Sequence, residues 1–144
     1  MPFNSKKATT VYQEVEIERQ AAMYRLEKQL LSAGYKLIAG IDEAGRGPLA
    51  GPVIAAAAII PPGTFIDGLN DSKKLSAKKR ELIYEKILAT KVSFGIGEAS
   101  VEEIDQFNIL RASRLAMMRA VENLPVQPDY LLIDGYAWPG IVLA

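Results

Sequence analysis

The spacing of apolar and polar residues predicts a helix near the start of the chain. Residues 11–33 contain no Gly or Pro, with Thr10 a candidate cap and Gly34 the expected stop. The apolar residues of this segment recur at helical spacing: Val15, Ala22, Leu26 and Leu30. Its charged residues are of mixed sign, which favours a face exposed to solvent over a binding surface.

From Lys36 onward, short apolar runs alternate with helical patterns. Strands are predicted at residues 37–41, 53–60, 92–99 and 130–133, and the first two are expected to pair. Helices are predicted after Ser76 to about residue 89, after a capping box of Ser100 and Glu103, and from residue 109 to 124 after Asn108. The helix after Ser76 has an apolar stripe: Leu82, Ile83, Ile87 and Leu88. This order, with a polar loop at residues 61–75, predicts an α/β fold.

The last apolar run, residues 140–144, has the pattern of a further strand. A domain that ended there would expose the run to water, so we expect an interrupted fold.

Composition restricts the chemistry that the chain can perform. Its 144 residues include 17 basic and 17 acidic side chains but no Cys and no His. Disulfides, thiolate metal sites, His-dependent nucleophiles and HExxH zinc sites are therefore excluded within this chain. The neutral total conceals a basic segment at residues 67–91, with seven basic and four acidic residues. No apolar run is long enough to span a bilayer and no signal peptide is evident, so we expect a cytoplasmic protein.

The glycine-rich segment at residues 40–51 does not match either common nucleotide-binding motif. A P-loop needs a Lys and a Ser or Thr after its last glycine, but Gly45 is followed by Arg46 and Gly47. A dinucleotide fingerprint needs glycines closer together than Gly45, Gly47 and Gly51, and Pro48 interrupts the segment.

Two acidic sites follow predicted strands. Asp42 and Glu43 come directly after the first strand, and Asp134 comes directly after the last. The alternative is that one acid merely caps a turn at a polar strand terminus. In open α/β sheets, however, ligand sites gather at the carboxyl ends of the strands. Three carboxylates without His or Cys suit Mg²⁺ or Mn²⁺ and do not suit zinc.

Two polar segments are candidates for binding an anionic substrate. In Gly45-Arg46-Gly47, the glycines allow close approach of backbone amides, and a guanidinium binds phosphate through two hydrogen bonds. The loop Asn70-Asp71-Ser72-Lys73-Lys74 offers two adjacent cations for phosphate contacts. The alternatives are a tight turn with a surface arginine and a turn that leads into the helix after Ser76.

Four motifs in this order resemble those of bacterial ribonuclease HII. They are GIDEAGRGPLAGPV at residues 40–53, NDSKKLS at residues 70–76, NILRAS at residues 108–113 and LLIDG at residues 131–135. The resemblance implies a ribonuclease H-like fold with a mixed sheet flanked by helices. It also implies an endonuclease that cleaves the RNA strand of RNA/DNA hybrids and nicks 5′ of single ribonucleotides in duplex DNA.

The resemblance also assigns residue roles. Asp42, Glu43 and Asp134 fall on three of four metal-binding carboxylates, and Gly45-Arg46-Gly47 falls on a motif that senses the 2′-hydroxyl. The substrate loop of the family falls on this chain's Ser72, Lys73 and Lys74. The fourth carboxylate and a substrate-stacking tyrosine of the family would lie beyond Ala144.

The resulting hypothesis has residues 1–36 as a helical extension and residues 37–144 as a partial catalytic domain. Its cofactor is Mn²⁺ or Mg²⁺ in two-metal-ion catalysis, and its partners are RNA/DNA hybrid and ribonucleotide-containing duplex DNA, with no membrane and no obligate protein partner. With one carboxylate absent, we expect weak turnover from the 144-residue chain. The alternatives are a nucleic-acid-binding fragment without turnover and a junction resolvase of similar fold.

Overall fold

A computed structural model describes residues 13–21, 24–44, 51–69 and 74–133. The chain divides into two compact units, one of residues 1–32 and 61–91 and the other of residues 33–60 and 92–144.

The second unit is built on a mixed four-stranded sheet. The strands are β1 (Ile38–Ala44), β2 (Val53–Ile59), β3 (Ser93–Ala99) and β4 (Tyr130–Ile133), arranged in the order β3-β2-β1-β4. Strands β1, β2 and β3 are antiparallel neighbours, whereas β4 pairs in parallel with β1. The predicted α/β class and the predicted pairing of the first two strands are confirmed.

One face of the sheet is covered by helix α5 (Ile109–Glu122). The helix packs against the sheet through alanines at every fourth position. These alanines are fully buried: Ala112, Ala116 and Ala120. Opposite them, β3 presents Gly95 and Gly97. A Cβ atom on Gly97 would overlap the carbonyl oxygen of Ala116 and the backbone nitrogen of Ala120. The helix backbone therefore lies directly against β3, a contact that only glycine permits.

Helix α4 (Val101–Phe107) is joined to α5 by polar contacts at its first turn. The predicted capping box is confirmed, since Ser100 and Glu103 satisfy each other's backbone amides. Glu103 also accepts hydrogen bonds of 2.7 and 2.8 Å from the guanidinium of Arg119 on α5. These bonds to Arg119 are the main cause that lowers the pKa of Glu103 to about 2. The predicted cap Asn108 is confirmed as well; it has φ 71° and accepts a hydrogen bond from the amide of Arg111.

The register between β1 and β4 is anchored just before both strands begin. The Asp129 carboxylate accepts hydrogen bonds from the amides of Lys36 (2.8 Å) and Leu37 (2.9 Å). These two bonds lower the pKa of Asp129, and the bond from the Lys36 amide makes the largest contribution. The rings of Tyr35 and Tyr130 also meet edge to face, with centroids 4.8 Å apart. The two strands thus start together and run in the same direction, so their carboxyl ends lie at one edge of the sheet.

The first unit contains α1 (residues 13–21), α2 (Arg25–Ser32), the loop 61–69 and α3 (Ala77–Leu88). The prediction of one continuous helix over residues 11–33 is wrong at Tyr24, which lies in a turn between α1 and α2. The expected stop at Gly34 agrees with its φ of +106°. Thr10, the expected cap, lies outside the described residues.

The faces of these helices also differ from the sequence-based expectation. Val15 and Leu26 are more than half exposed, whereas the charged residue Glu16 is 7% exposed. Glu16 can be buried because its carboxylate accepts hydrogen bonds from Arg19 and Gln20 on the same face of α1. On α3, Leu82 and Leu88 are more than half exposed and Ile83 is buried. No helix within the described ranges is long and apolar enough to cross a membrane.

Candidate active site

The acidic pair lies inside β1 and not after it. Pairing with β2 continues to Ala44, so that Asp42 is opposite Ala56 and Glu43 is opposite Ala55. Because strand residues alternate between faces, Glu43 shares the face covered by α5, and Asp42 lies on the opposite face. Accordingly, Asp42 is exposed, whereas Glu43 is half-buried and its Oε2 atom is buried.

The Asp42 carboxylate is held by its own strand. Its Oδ1 atom accepts a 2.9 Å hydrogen bond from the backbone amide of Glu43. This bond orients the carboxylate beside the strand backbone while the side chain stays exposed to solvent. An oriented, exposed carboxylate near the carboxyl end of a strand is suited to binding a cation from solution.

The parallel pairing of β1 with β4 relates Asp42 to the third predicted acid. Ile41 and Ile133 are partners in this ladder, and each is followed in the chain by an aspartate. Asp134 itself lies outside the described residues, as do five of the predicted substrate-binding residues: Gly45, Arg46, Gly47, Ser72 and Lys73. Within the described ranges, no group of three or more His, Cys, Asp or Glu side chains surrounds a possible metal position.

Of the predicted substrate-loop residues Ser72, Lys73 and Lys74, the structure describes Lys74, which lies in the first unit. It is exposed and lines a cleft of about 350 Å³. The charged residues around this cleft are four cations and two acids: Arg19, Lys74, Lys79, Lys86, Glu16 and Asp67. The cleft therefore carries an excess of positive charge.

A family model for ribonuclease HII matches residues 39–142. The chain belongs to the ribonuclease HII family. Ribonuclease HII of Geobacillus sp. (strain WCH70) is 53% identical over 128 residues, which are 88% of this chain and 46% of the relative. Ribonuclease HII of Coxiella burnetii (strain Dugway 5J108-111) is 61% identical over 105 residues, which are 73% of this chain and 52% of the relative. The chain thus spans about half the length of these curated ribonuclease HII relatives.

Solved structures agree with the predicted ribonuclease H-like fold. The ribonuclease H2 from Pyrococcus horikoshii OT3 aligns with a TM-score of 0.55 and 29% identity, covering 68% of this chain and 49% of that one. A Bst-RNase HIII structure in complex with Mn²⁺ aligns with a TM-score of 0.53 and 22% identity, covering 74% of this chain and 39% of that one. This second similarity supports the fold alone. Membership of a ribonuclease HII-type enzyme family, predicted from the motifs, is confirmed.

The ribonuclease HII motifs did not predict a polar cluster in the first unit. Glu16, Arg19 and Gln20 form one face of α1, and the guanidinium Nε of Arg19 donates a 3.0 Å hydrogen bond to Glu16. Gln20 donates to Glu16 at 3.0 Å and accepts at 3.2 Å from the amide of Ile66. Their spacing could have indicated this cluster, because Arg19 and Gln20 follow Glu16 by three and four positions and such residues share a helix face. The expectation of a solvent-exposed charged face is therefore wrong at Glu16.

Proposed function

We propose that the protein is an endoribonuclease that cleaves the RNA strand of RNA/DNA hybrids and nicks 5′ of ribonucleotides embedded in duplex DNA. The observation that carries this proposal is the parallel register of Ile41 and Ile133, each followed by an aspartate, in a member of the ribonuclease HII family. Partners in a parallel ladder share a face, with their strands about 4.8 Å apart. If the parallel pairing of β1 with β4 continued by one residue, Asp42 and Asp134 would be partners.

The chemistry of these donors fits Mg²⁺ or Mn²⁺. Asp42 and Asp134 would hold the ions, because hard cations prefer carboxylate oxygens. Glu43 lies on the opposite face of β1, so its longer side chain would have to reach the ions past the end of the strand. When bound, a pair of such ions supplies an activated water and stabilises the leaving oxygen, so no histidine base is needed. The protein supplies the negative charge at the sheet edge, and the amide of Glu43 holds Asp42 in position for this task.

The substrate would be positioned by residues outside the carboxylate cluster. We assign to Arg46 a two-hydrogen-bond contact with a phosphate, and to the flanking Gly45 and Gly47 close approach of backbone amides to a 2′-hydroxyl. Ser72, Lys73 and Lys74 would contact backbone phosphates. In the same proposal, residues 1–36 form a helical extension and residues 37–144 belong to the catalytic domain.

The 2′-hydroxyl requirement tests this function directly. We expect the natural protein, expressed from its gene, to nick a duplex with one embedded ribonucleotide in the presence of Mg²⁺ or Mn²⁺, leaving 3′-hydroxyl and 5′-phosphate ends. An otherwise identical all-DNA duplex should remain intact, because it lacks the group that is recognised. Gel analysis of end-labelled strands measures both. Cleavage of an all-DNA four-way junction would instead support a resolvase, and binding without any cleavage would support a nucleic-acid-binding protein; either result contradicts the proposal.

Replacing Arg46 by lysine tests the substrate assignment. Lysine keeps the charge but loses the planar fork, so we expect weaker discrimination between ribonucleotide-containing and all-DNA duplexes, with a smaller loss of general duplex affinity. Fluorescence anisotropy with both duplexes, in the absence of divalent ions that support cleavage, measures the two affinities. Equal losses for both duplexes would show that Arg46 acts only as a charge.

A further inference from the structure

The cleft of the first unit has one wall made by the loop 61–69. This loop forms neither helix nor strand, and side chains of α1 bond to its backbone. Arg19 donates a hydrogen bond to the carbonyl of Leu69, and Gln20 donates one to the carbonyl of Ile66 while accepting from the Ile66 amide. Since Ile66 is also buried, both polar and apolar contacts fix the wall.

Two of the four cations at the cleft are neutralised by neighbouring acids. Arg19 is paired with the buried Glu16, whose pKa is lowered to about 2, chiefly by the hydrogen bond from Arg19. Lys86 donates a 3.1 Å hydrogen bond to the carbonyl of Asp67 and lies 3.8 Å from its carboxylate. Arg19 and Lys86 thus bond to the walls of the cleft, and Glu16 and Asp67 balance their charges.

The other two cations, Lys74 and Lys79, have no acidic partner among the residues that the structure describes. Lys79 lies in the first turn of α3, directly after Lys78 and before Arg80, and this turn contains no acidic residue. Cations are unfavourable at a helix N-terminus, where the helix dipole is positive. A departure from local preference of this kind is typical of functional surfaces. The amino end of α3 and the two lysines together favour an anion in the cleft.

From this arrangement we infer that the cleft binds a backbone phosphate of the nucleic-acid duplex through Lys74 and Lys79. The inference rests on the proposed function, which makes a duplex the substrate, and adds Lys79 and a defined pocket to it. Arg19 and Gln20 act as positioning residues, because they hold the backbone of the wall. A phosphate contact carries no sequence information, so its contribution is the same for DNA and for ribonucleotide-containing duplexes.

The chain offers a matched pair of variants for the test. Lys79→Gln removes a cation that lines the cleft, whereas Lys78→Gln removes an exposed cation one residue earlier in α3 that does not line it. Both variants lower the net charge by the same amount, so long-range electrostatics change equally. Affinity for a duplex with one ribonucleotide and for its all-DNA counterpart is measured by anisotropy across a salt series, without divalent ions that support cleavage.

We expect Lys79→Gln to bind both duplexes about fivefold to tenfold more weakly than the natural protein at low salt. The slope of log affinity against log salt should become shallower by about 0.9, the value for one lost phosphate contact. Lys78→Gln should bind nearly as the natural protein does. Equal effects of the two variants would overturn the inference, as would Lys79-dependent binding of inorganic phosphate without any change in duplex binding.

The outcomes separate this inference from the proposed function. Ribonucleotide-dependent cleavage by the natural protein, combined with equal duplex affinities of the two variants, would contradict only the assignment of the cleft as a phosphate site. No ribonucleotide-dependent cleavage by the natural protein would contradict the function itself. If Lys79→Gln fails to fold by circular dichroism, Lys79→Met compared with Lys78→Met provides the same test, since both lysines are exposed on α3.

Discussion

Replacing Asp42 by asparagine is expected to lower the proposed ribonucleotide cleavage by about a thousandfold or more, because the proposed ions would lose a ligand charge and stabilise the transition state less. The fold should persist. Asp42 is exposed, and asparagine retains an oxygen that can accept the hydrogen bond from the Glu43 amide. Single-turnover cleavage measures the rate, and thermal unfolding measures stability. Asp134→Asn is expected to act in the same direction.

Asp105→Asn provides the matched control for this prediction. Asp105 is an exposed acid on α4, so the same chemical change occurs away from β1. We expect near-natural cleavage from this control. Ordinary activity and metal dependence in Asp42→Asn would refute the metal-ligand assignment, whereas an equal loss in both variants would show that general charge matters and not the position of Asp42.

Replacing Gly97 by alanine is expected to destabilise the second unit by about 3 kcal/mol, the upper part of the usual range for overpacking. The new Cβ would overlap backbone atoms of Ala116 and Ala120, and backbone cannot rotate away as a flexible side chain can. Helix α5 would have to shift outward, which would loosen its contact with β2 and β3. Urea denaturation followed by circular dichroism measures the loss.

Gly40→Ala is the control for Gly97→Ala. Gly40 also lies within a strand of the same sheet, but nothing lies within 4 Å of the position that its Cβ would occupy. We expect this substitution to change stability by less than about 1 kcal/mol, because alanine restricts the unfolded chain without a clash. Equal stability of the two variants would show that α5 adjusts to the extra atom and that close approach at Gly97 is not required.

The local pattern of the sequence was sufficient for most elements of the second unit. Apolar runs predicted each strand, and the short side chains of Ser100 and Asn108 predicted the starts of α4 and α5. These features depend on neighbours only a few residues away, so sequence spacing contains the needed information. The motif resemblance added the family, which the match over residues 39–142 confirms.

The ends of strands and the faces of helices depended on distant residues. Strand β1 continues through Asp42 and Glu43 because β2 supplies hydrogen-bonding partners up to Ala44. The polar face of α1 is partly buried because Ile66 and Leu69, about fifty residues away, offer backbone groups to Arg19 and Gln20. No local pattern records such partners.

For the candidate site, the sequence alone determined which side chains are available: carboxylates at Asp42, Glu43 and Asp134, basic residues in two polar segments, and no His or Cys. Tertiary structure alone decided that Asp42 and Glu43 occupy opposite faces of β1, and that Ile41 and Ile133 are partners. It also decided that Gly97 must lack a side chain. The physical reason is that residue chemistry is local, whereas strand register and helix approach are set by contacts between segments far apart in the chain.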